Sequence, residues 1–425
     1  MSLNFWKKEP FISETSEEAI LTDEHDLVPS EIITSEDDVL SEGATDNIYN
    51  RVSGWVALVG VALFPLFFLP WTTSPLELNK QLFLILFSGI ALVLWLVGVV
   101  SSGYIKWRPN EFIKPVGAVV LATFVAALFS ITQFKSLFGL TNSLSDSFIS
   151  IFALSILYVL IVNIFDDKGK KIRTLLAFSL TLAILYGIFQ MFGIYLVKLA
   201  IFKSKSFNTV GSPNSLGVLA AVSLPFLHKS KAALPFVKHY WTKIATLLSI
   251  IILVILNWWL LWTIAIIGMF ALVALESLNS KTFKLSKSLM PLVVIVLGVF
   301  LVVVKFDLSF VKKNLPVEIS PSYSLSTRIA NSVMKDRFIL GYGLENFSLA
   351  FDKYGSMALT NTSLSNAKFY DSASEFFNAA VHGGIVLSMA FLFFAVFVVW
   401  SIFVRYKNES SDDDSDNGVM AMTLT

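Results

Sequence analysis

Gln81 to Gly103 reads QLFLILFSGIALVLWLVGVVSSG, without an ionisable residue from end to end. A soluble amphipathic helix keeps a polar face, whereas a helix apolar all round is buried in a large core or in a bilayer. About 20 apolar residues suffice to cross the hydrocarbon core as a helix, and this run reaches that length. Comparable runs occupy 53–71, 115–134, 147–165, 173–196, 214–228, 243–257, 258–276, 288–305 and 384–404. The pair meeting at Asn257 reads as a tight hairpin. Hydrophobic residues make up 55% of the 425 and charged residues only 15%, against roughly a quarter charged in ordinary soluble domains. The expected fold is all-α, a polytopic membrane helix bundle of about ten spans whose first partner is the lipid bilayer.

The loops orient it. Lys and Arg collect on the cytoplasmic side of membrane proteins. With the amino terminus inside, the inner loops carry Lys106, Arg108 and Lys114, then Lys168, Lys170, Lys171 and Arg173. Lys229, Lys231, Lys238 and Lys243 follow, then Lys281, Lys284 and Lys287, and last Arg405 and Lys407. Every second loop is basic, which predicts a multi-pass protein of the cytoplasmic (inner) membrane with both termini cytoplasmic. Residues 1–50, acidic and rich in Ser and Thr, bury too little apolar surface to order themselves and read as a disordered cytoplasmic tail. Residues 406–425, with Asp412, Asp413 and Asp414, read as a second one. The membrane domain is 51–405, and 306–383 is a long extracytoplasmic loop with short helices; loops of this length are usually functional.

A net charge of +1 gives no ground for a nucleic-acid partner, and the absence of cysteine excludes disulfides, thiolate metal sites and a cysteine nucleophile. No phosphate-binding Walker loop, dinucleotide fingerprint or metalloprotease helix motif occurs, so neither cofactor nor metal is expected. The middle of each expected span lacks Asp, Glu, Lys and Arg, which weighs against an ion-coupled pump.

Candidate chemistry lies outside. Ser326 is expected to cap a helix over 327–337, with Ile329, Val333 and Met334 on one face and Arg328 in the first turn. Arg328 reads either as a snorkelling interfacial arginine or as a ligand. Gly341 and Gly343 supply a turn after it. Asp371, Glu375, Asn378 and His382 are spaced to form one polar stripe on a helix, either a solvated face or a surface toward a substrate head group. Lys80, Lys135, Lys203, Lys205 and Arg328 lie where an anionic lipid head group, such as a diphosphate, would meet them. Each lysine also reads as a simple interfacial anchor.

Several stretches, in order, resemble the O-antigen ligase and polymerase family of bacterial envelope glycan enzymes. They are LFPLFFLP (Leu63–Pro70), ELNK (Glu77–Lys80), SLFG (Ser136–Gly139), VGSPNSLGVLAAVSLP (Val210–Pro225), STRIANSVMKDRFILGYGLENF (Ser326–Phe347) and ASEFFNAAVHGGI (Ala373–Ile385). The resemblance covers roughly 50–405. It implies a metal-independent glycosyltransferase that moves a glycan from a polyprenyl-diphosphate carrier to a glycan, lipid or protein acceptor on the outer face. By that resemblance Arg328 binds diphosphate, and Lys80, Lys135, Lys203 and Lys205, read from their charge and outer position, would join it on the donor. Asn214 lies in the Gly-x-x-Asn turn, and Glu375 or His382 orients or deprotonates the acceptor beside Asn378. The chain departs from the pattern where the family carries His-Asn, at Ala373 and Ser374, and where it carries a later glutamate, at His382. It also has Asn257, Trp258 and Trp259 where an arginine is frequent. The alternatives are a non-catalytic member that binds lipid-linked glycan, and a lipid-linked glycan transporter.

Overall fold

The computed structural model describes residues 48–425 apart from 73–75, 106, 109, 140–145, 166–168, 198, 200–201, 231–239, 279–284, 305–314, 316–317, 361 and 409–413. The amino-terminal tail expected over 1–50 therefore lies almost wholly outside the described residues. So do Lys106, Lys168, Lys231, Lys238, Lys281 and Lys284 of the basic inner loops.

The described residues hold α-helices and short turns and no strand. In chain order the helices are α1 (Ile48–Leu63), α2 (Glu77–Ser102), α3 (Ile113–Leu128), α4 (Gln133–Phe138), α5 (Phe148–Ile164), α6 (Lys170–Met191) and α7 (Pro213–Lys229). They continue as α8 (Trp241–Leu256), α9 (Trp259–Leu278), α10 (Leu285–Val304), α11 (Tyr323–Asp336), α12 (Phe347–Tyr354), α13 (Glu375–Asn408) and α14 (Asp414–Leu424). A helix falls on each of the ten apolar runs, and among the described residues four are long and apolar enough to cross a membrane: Glu77–Ser102, Lys170–Met191, Trp259–Ser277 and Glu375–Val404. The apolar helices Ile48–Leu63, Ile113–Leu128, Phe148–Ile164, Trp241–Leu256 and Ser288–Val304 are shorter. At 1.5 Å rise per residue, a helix of about 16 residues reaches roughly 24 Å, less than the ~30 Å hydrocarbon core.

What marks a membrane protein is the face these helices turn outward. On α2, Leu82, Leu86, Ile90, Val93, Val97 and Val100 are all exposed. Their spacing of three and four is one helical stripe, and the opposite side buries Phe83, Ser88, Ala91 and Gly98. On α13, Leu392, Val396, Val399, Trp400 and Phe403 are exposed likewise. Soluble proteins rarely leave apolar patches of this extent in water; hydrocarbon accepts them without cost.

The largest core joins α6, α7, α8 and α9 around Leu216, Leu224, Ile252, Leu253, Leu261 and Trp262. The hairpin at Asn257 is present. Asn257 ends α8 in the left-handed region (φ 35°), a conformation asparagine tolerates, and its Oδ1 accepts from Trp262 Nε1 at 2.8 Å. At the far end of this core the Lys229 ammonium pairs with buried Glu276, which also accepts from Ser288 Oγ.

Two expectations change here. The segment 406–425 is not only a solvated tail. Its residues Asp414–Leu424 form α14, and Met420 and Ala421 are buried in the main core. In the sequence the Asp run masks the short apolar stretch Val419, Met420, Ala421 and Met422 that follows it. Ser326 does not cap α11. Ser322 does, its Oγ accepting from Leu325 N at 3.2 Å. Ser326 is buried inside the helix and its Oγ accepts from Ala373 N at 2.9 Å, tying α11 to the start of α13. Arg328 consequently sits in the second turn. The expected apolar face holds: Ile329 and Val333 are fully buried, packing with Phe347, Phe351, Phe369 and Val381 in a second small core formed by the loop that precedes α13.

Candidate functional site

The turn Phe338–Phe347 (FILGYGLENF) decides what meets at the end of the bundle. Tyr342 N–H donates to Val381 O at 2.8 Å, Gly343 N–H to His382 O at 2.9 Å, and Ile131 N–H to Tyr342 O at 3.0 Å. Ser136 Oγ donates to Leu344 O at 2.6 Å. Asn346, fully buried, donates from Nδ2 to Ser130 Oγ (2.8 Å) and Tyr342 O (3.0 Å), and accepts from Thr132 Oγ1 at 2.5 Å. The turn is thus wedged between the α3–α4 connection and α13. It fits only because glycine is there. Gly343 (φ 96°) would place a Cβ 2.0 Å from Ser130 Oγ. Gly384 (φ 59°, ψ −146°) kinks α13 and would place one 2.5 Å from Phe338 O. L-residues rarely adopt positive φ, and these contacts leave no room for a side chain.

The kink sets the stretch Glu375–Gly383 apart from the apolar remainder of α13. Glu375, Asn378 and His382 share its face, as the spacing predicted. Asp371 does not belong to this helix: α13 begins at Glu375, and Ser372 and Asn378 close the preceding turn through Ser372 N–H to Asn378 Oδ1 at 2.9 Å. Asn378 is buried, its Nδ2 facing the Glu375 carboxylate at 3.4 and 3.5 Å, so it braces Glu375.

Around this face gather charges from five other places in the chain. Asp371 stands within electrostatic reach of Glu77, Glu345, Glu375 and His382. Asp146 acts on Glu345, Asp371 and Glu375, and its backbone N–H donates to Glu345 Oε1 at 3.3 Å. Lys135, on α4, acts on Glu345 and His382. His382 is 3% exposed, with Nδ1 3.9 Å from Asp146 Oδ2 and Nε2 without a hydrogen-bond partner among the described residues. Burial, followed by the Asp146 charge, pushes the Glu345 carboxyl up to about 8, against the pull of the Asp146 N–H and Lys135. Asp371 is raised by burial and by Asp146, with His382 opposing. Glu345 and Asp146 are half-buried while Glu77, Asp371 and Glu375 reach solvent, so it is the crowding of like charges around Glu345 that opposes full ionisation. Glu345 is also one of two non-glycine residues with positive φ (62°) among the described residues. Backbone strain and a displaced pKa on one residue are the combination that functional sites accumulate.

No protein-family model matches the chain, and no curated protein does.

Of the residues singled out from the sequence, Lys135, Glu375, Asn378 and His382 converge. Arg328 is exposed on α11 and makes no hydrogen bond or ion pair among the described residues. Lys80 lies one turn into α2 from Glu77; its Nζ is 3.4 Å from Pro65 O and 5.6 Å from the Phe64 ring centre. Lys203 is exposed, Lys205 packs along Gly193, and the Asn214 N–H, at the start of α7, donates to Glu318 Oε1 at 3.2 Å. A uniformly cationic pocket is therefore not what the end of the bundle presents; five carboxyl groups outnumber Lys135 and His382. Among the described residues no three Asp, Glu or His side chains are placed to hold a metal.

Sequence reasoning missed Glu345 and Asp146. Glu345 sits inside the glycine-rich turn as the sole acid of GYGLENF, a usable signal. Asp146 stands among serines (SLSDSF), and nothing local distinguishes it.

Proposed function

We propose that this chain is a multi-pass protein of the cytoplasmic membrane, with about ten spans and both termini cytoplasmic. It moves a glycan from a polyprenyl-diphosphate carrier to an acceptor hydroxyl on the outer face. The observation that carries the reading is Glu345, a strained, proton-holding carboxyl beside Lys135 and buried His382 where bundle and loop meet. A general base works best with a pKa near the operating pH, and burial has brought Glu345 into that range. The acceptor oxygen attacks the anomeric carbon as the bond to the diphosphate oxygen breaks. The acceptor proton passes to the Glu375 carboxylate, or to Glu345 in the fraction of molecules in which it is ionised, and the diphosphate leaves with the bonding electrons toward Lys135. Asn378 fixes the Glu375 carboxylate, and Asp371 holds the His382 edge of the site polar. Arg328, on the exposed face of α11, meets the donor from the loop side.

The test is Glu345→Gln and Lys135→Ala in cells lacking their own copy, with surface polysaccharide resolved on gels. Loss of glycan attachment or length at normal protein level is expected. Unchanged glycan with both variants overturns the proposal. A second reading, a non-catalytic member that binds lipid-linked glycan, draws on the segment Ser372–Ser374. There the Ala373 N–H is committed to Ser326 Oγ, and the Ser374 N–H to Ser372 Oγ at 3.2 Å. That segment serves as the start of a helix and offers no acid or base. Under this reading the variants lose carrier binding while no transfer is detected in the wild type.

A further inference from the structure

We infer that the crevice between α1, α2, α5 and α6 seats one acyl chain of an anionic bilayer phospholipid, with the Lys80 ammonium on its phosphate. This goes beyond the glycosyl-transfer reading and does not depend on it. The crevice encloses about 180 Å³ and is lined by Gly60, Phe64, Phe83, Phe87, Leu157 and Leu176 among others. The polar side chain in its lining, Ser88, turns its hydroxyl to Ile85 O at 3.2 Å. An apolar cavity of about 150 Å³ stays dry and accepts an apolar guest, so this one takes a few carbons of a single chain. Small residues make the room: Gly60 lies against Phe87, where a Cβ would come within 3.2 Å of the ring.

The opening faces lipid. Leu154, at the crevice edge on α5, is exposed, as are Leu82 and Leu86 on the adjoining stripe of α2. The cation stands at one end. Phe64 and Pro65 both line the crevice, and Lys80 Nζ rests over the Phe64 ring and 3.4 Å from Pro65 O. An ammonium has three donors. Lys80 spends one on a long bond to a carbonyl, and no carboxylate pairs with it among the described residues. A half-buried cation of this kind favours an anionic partner, and a cation one turn from the end of a membrane helix is at phosphate depth. Charge at the rim and a dry slot below it match one molecule, a phospholipid entering sideways from the bilayer.

The experiment uses the full chain in detergent, titrated separately with phosphatidylglycerol and phosphatidylcholine, and native mass spectrometry to count retained lipid. Wild-type protein should retain phosphatidylglycerol in preference. Lys80→Met should lower that retention roughly tenfold, the worth of a hydrogen bond to a charged group, and lower phosphatidylcholine less, because its choline cation offsets the charge of the phosphate that both lipids share. Lys80→Arg should keep it, and Leu84→Trp, which fills the slot, should lower both. Equal retention of the two lipids, or unchanged retention in Lys80→Met, overturns the inference. So does recovery of a polyprenyl diphosphate as the bound species in place of phospholipid. If Lys80→Met does not fold, photo-crosslinking of a phosphatidylglycerol analogue to the wild type decides. Crosslinks at Phe64, Leu84 or Leu157 support the seat, and crosslinks confined elsewhere refute it.

Discussion

Replacing Glu345 by Gln should make the protein more stable in mild alkali while leaving it unchanged in acid. The folded chain holds the Glu345 proton up to about 8, whereas an ordinary glutamate releases it near 4.5. Between those values the folded state binds a proton that the unfolded chain has lost, so stability falls as pH rises. The contribution is whole below about 4.5 and is gone above about 8. At about 1.36 kcal/mol per pH unit the gap sets an upper limit near 5 kcal/mol. Glu345 is only partly buried, and solvent screening brings the expected effect to about 2 kcal/mol. Asp371, raised for the same reasons, contributes in the same direction and stays in the variant. Glutamine keeps the shape and the acceptor for the Asp146 N–H but cannot ionise. Unfolding in detergent, followed by tryptophan fluorescence from pH 4 to 9, should therefore give a flatter profile for Glu345→Gln. The curves should coincide at about pH 4, diverge in the variant's favour as pH rises past about 4.5, and run parallel above about 8. Parallel curves across the whole range would refute the buried-carboxyl account, and with it the reason for choosing Glu345 as the base.

Gly343→Ala should cost about 2–4 kcal/mol, because the new Cβ meets Ser130 at a positive φ and the turn must shift off His382 O. Gly117→Ala, inside α3 with nothing within 4 Å, is the matched control. It should be neutral or stabilising by up to about 1 kcal/mol, and equal effects of the two would contradict the wedge. Lys229→Met should cost about 3–5 kcal/mol by stranding Glu276, whereas the double variant Lys229→Met with Glu276→Leu should recover most of that. A double variant as unstable as the single one would show that packing around Lys229, not the ion pair, is what matters.

Much of the architecture was legible because hydrocarbon imposes one solution. A long segment without charges must satisfy its own backbone, and only a helix does so within one segment. Residues 81–103, the break at Asn257 and the buried face of Ile329 and Val333 follow from that rule and from helical period. Helix ends were less legible. Ser322 and Ser326 are both serines ahead of an apolar-periodic stretch, and the choice fell to the long-range bond from Ala373. The carboxy-terminal helix was hidden for a like reason: its charge was visible in the sequence, but the groove that receives Met420 and Ala421 was not.

The sequence by itself determined that helices would carry apolar side chains outward, and that Glu375, Asn378 and His382 would share a face, since both depend on neighbours within one segment. Only the tertiary structure decided which charges face one another. Asp146, Glu345 and Asp371 are separated by many residues and are brought together by a turn that closes on α13 through two glycines. Arg328, for all its place in a promising motif, stands exposed on α11 and makes no hydrogen bond or ion pair among the described residues. Electrostatic coupling acts through space and burial, and neither can be read along the chain.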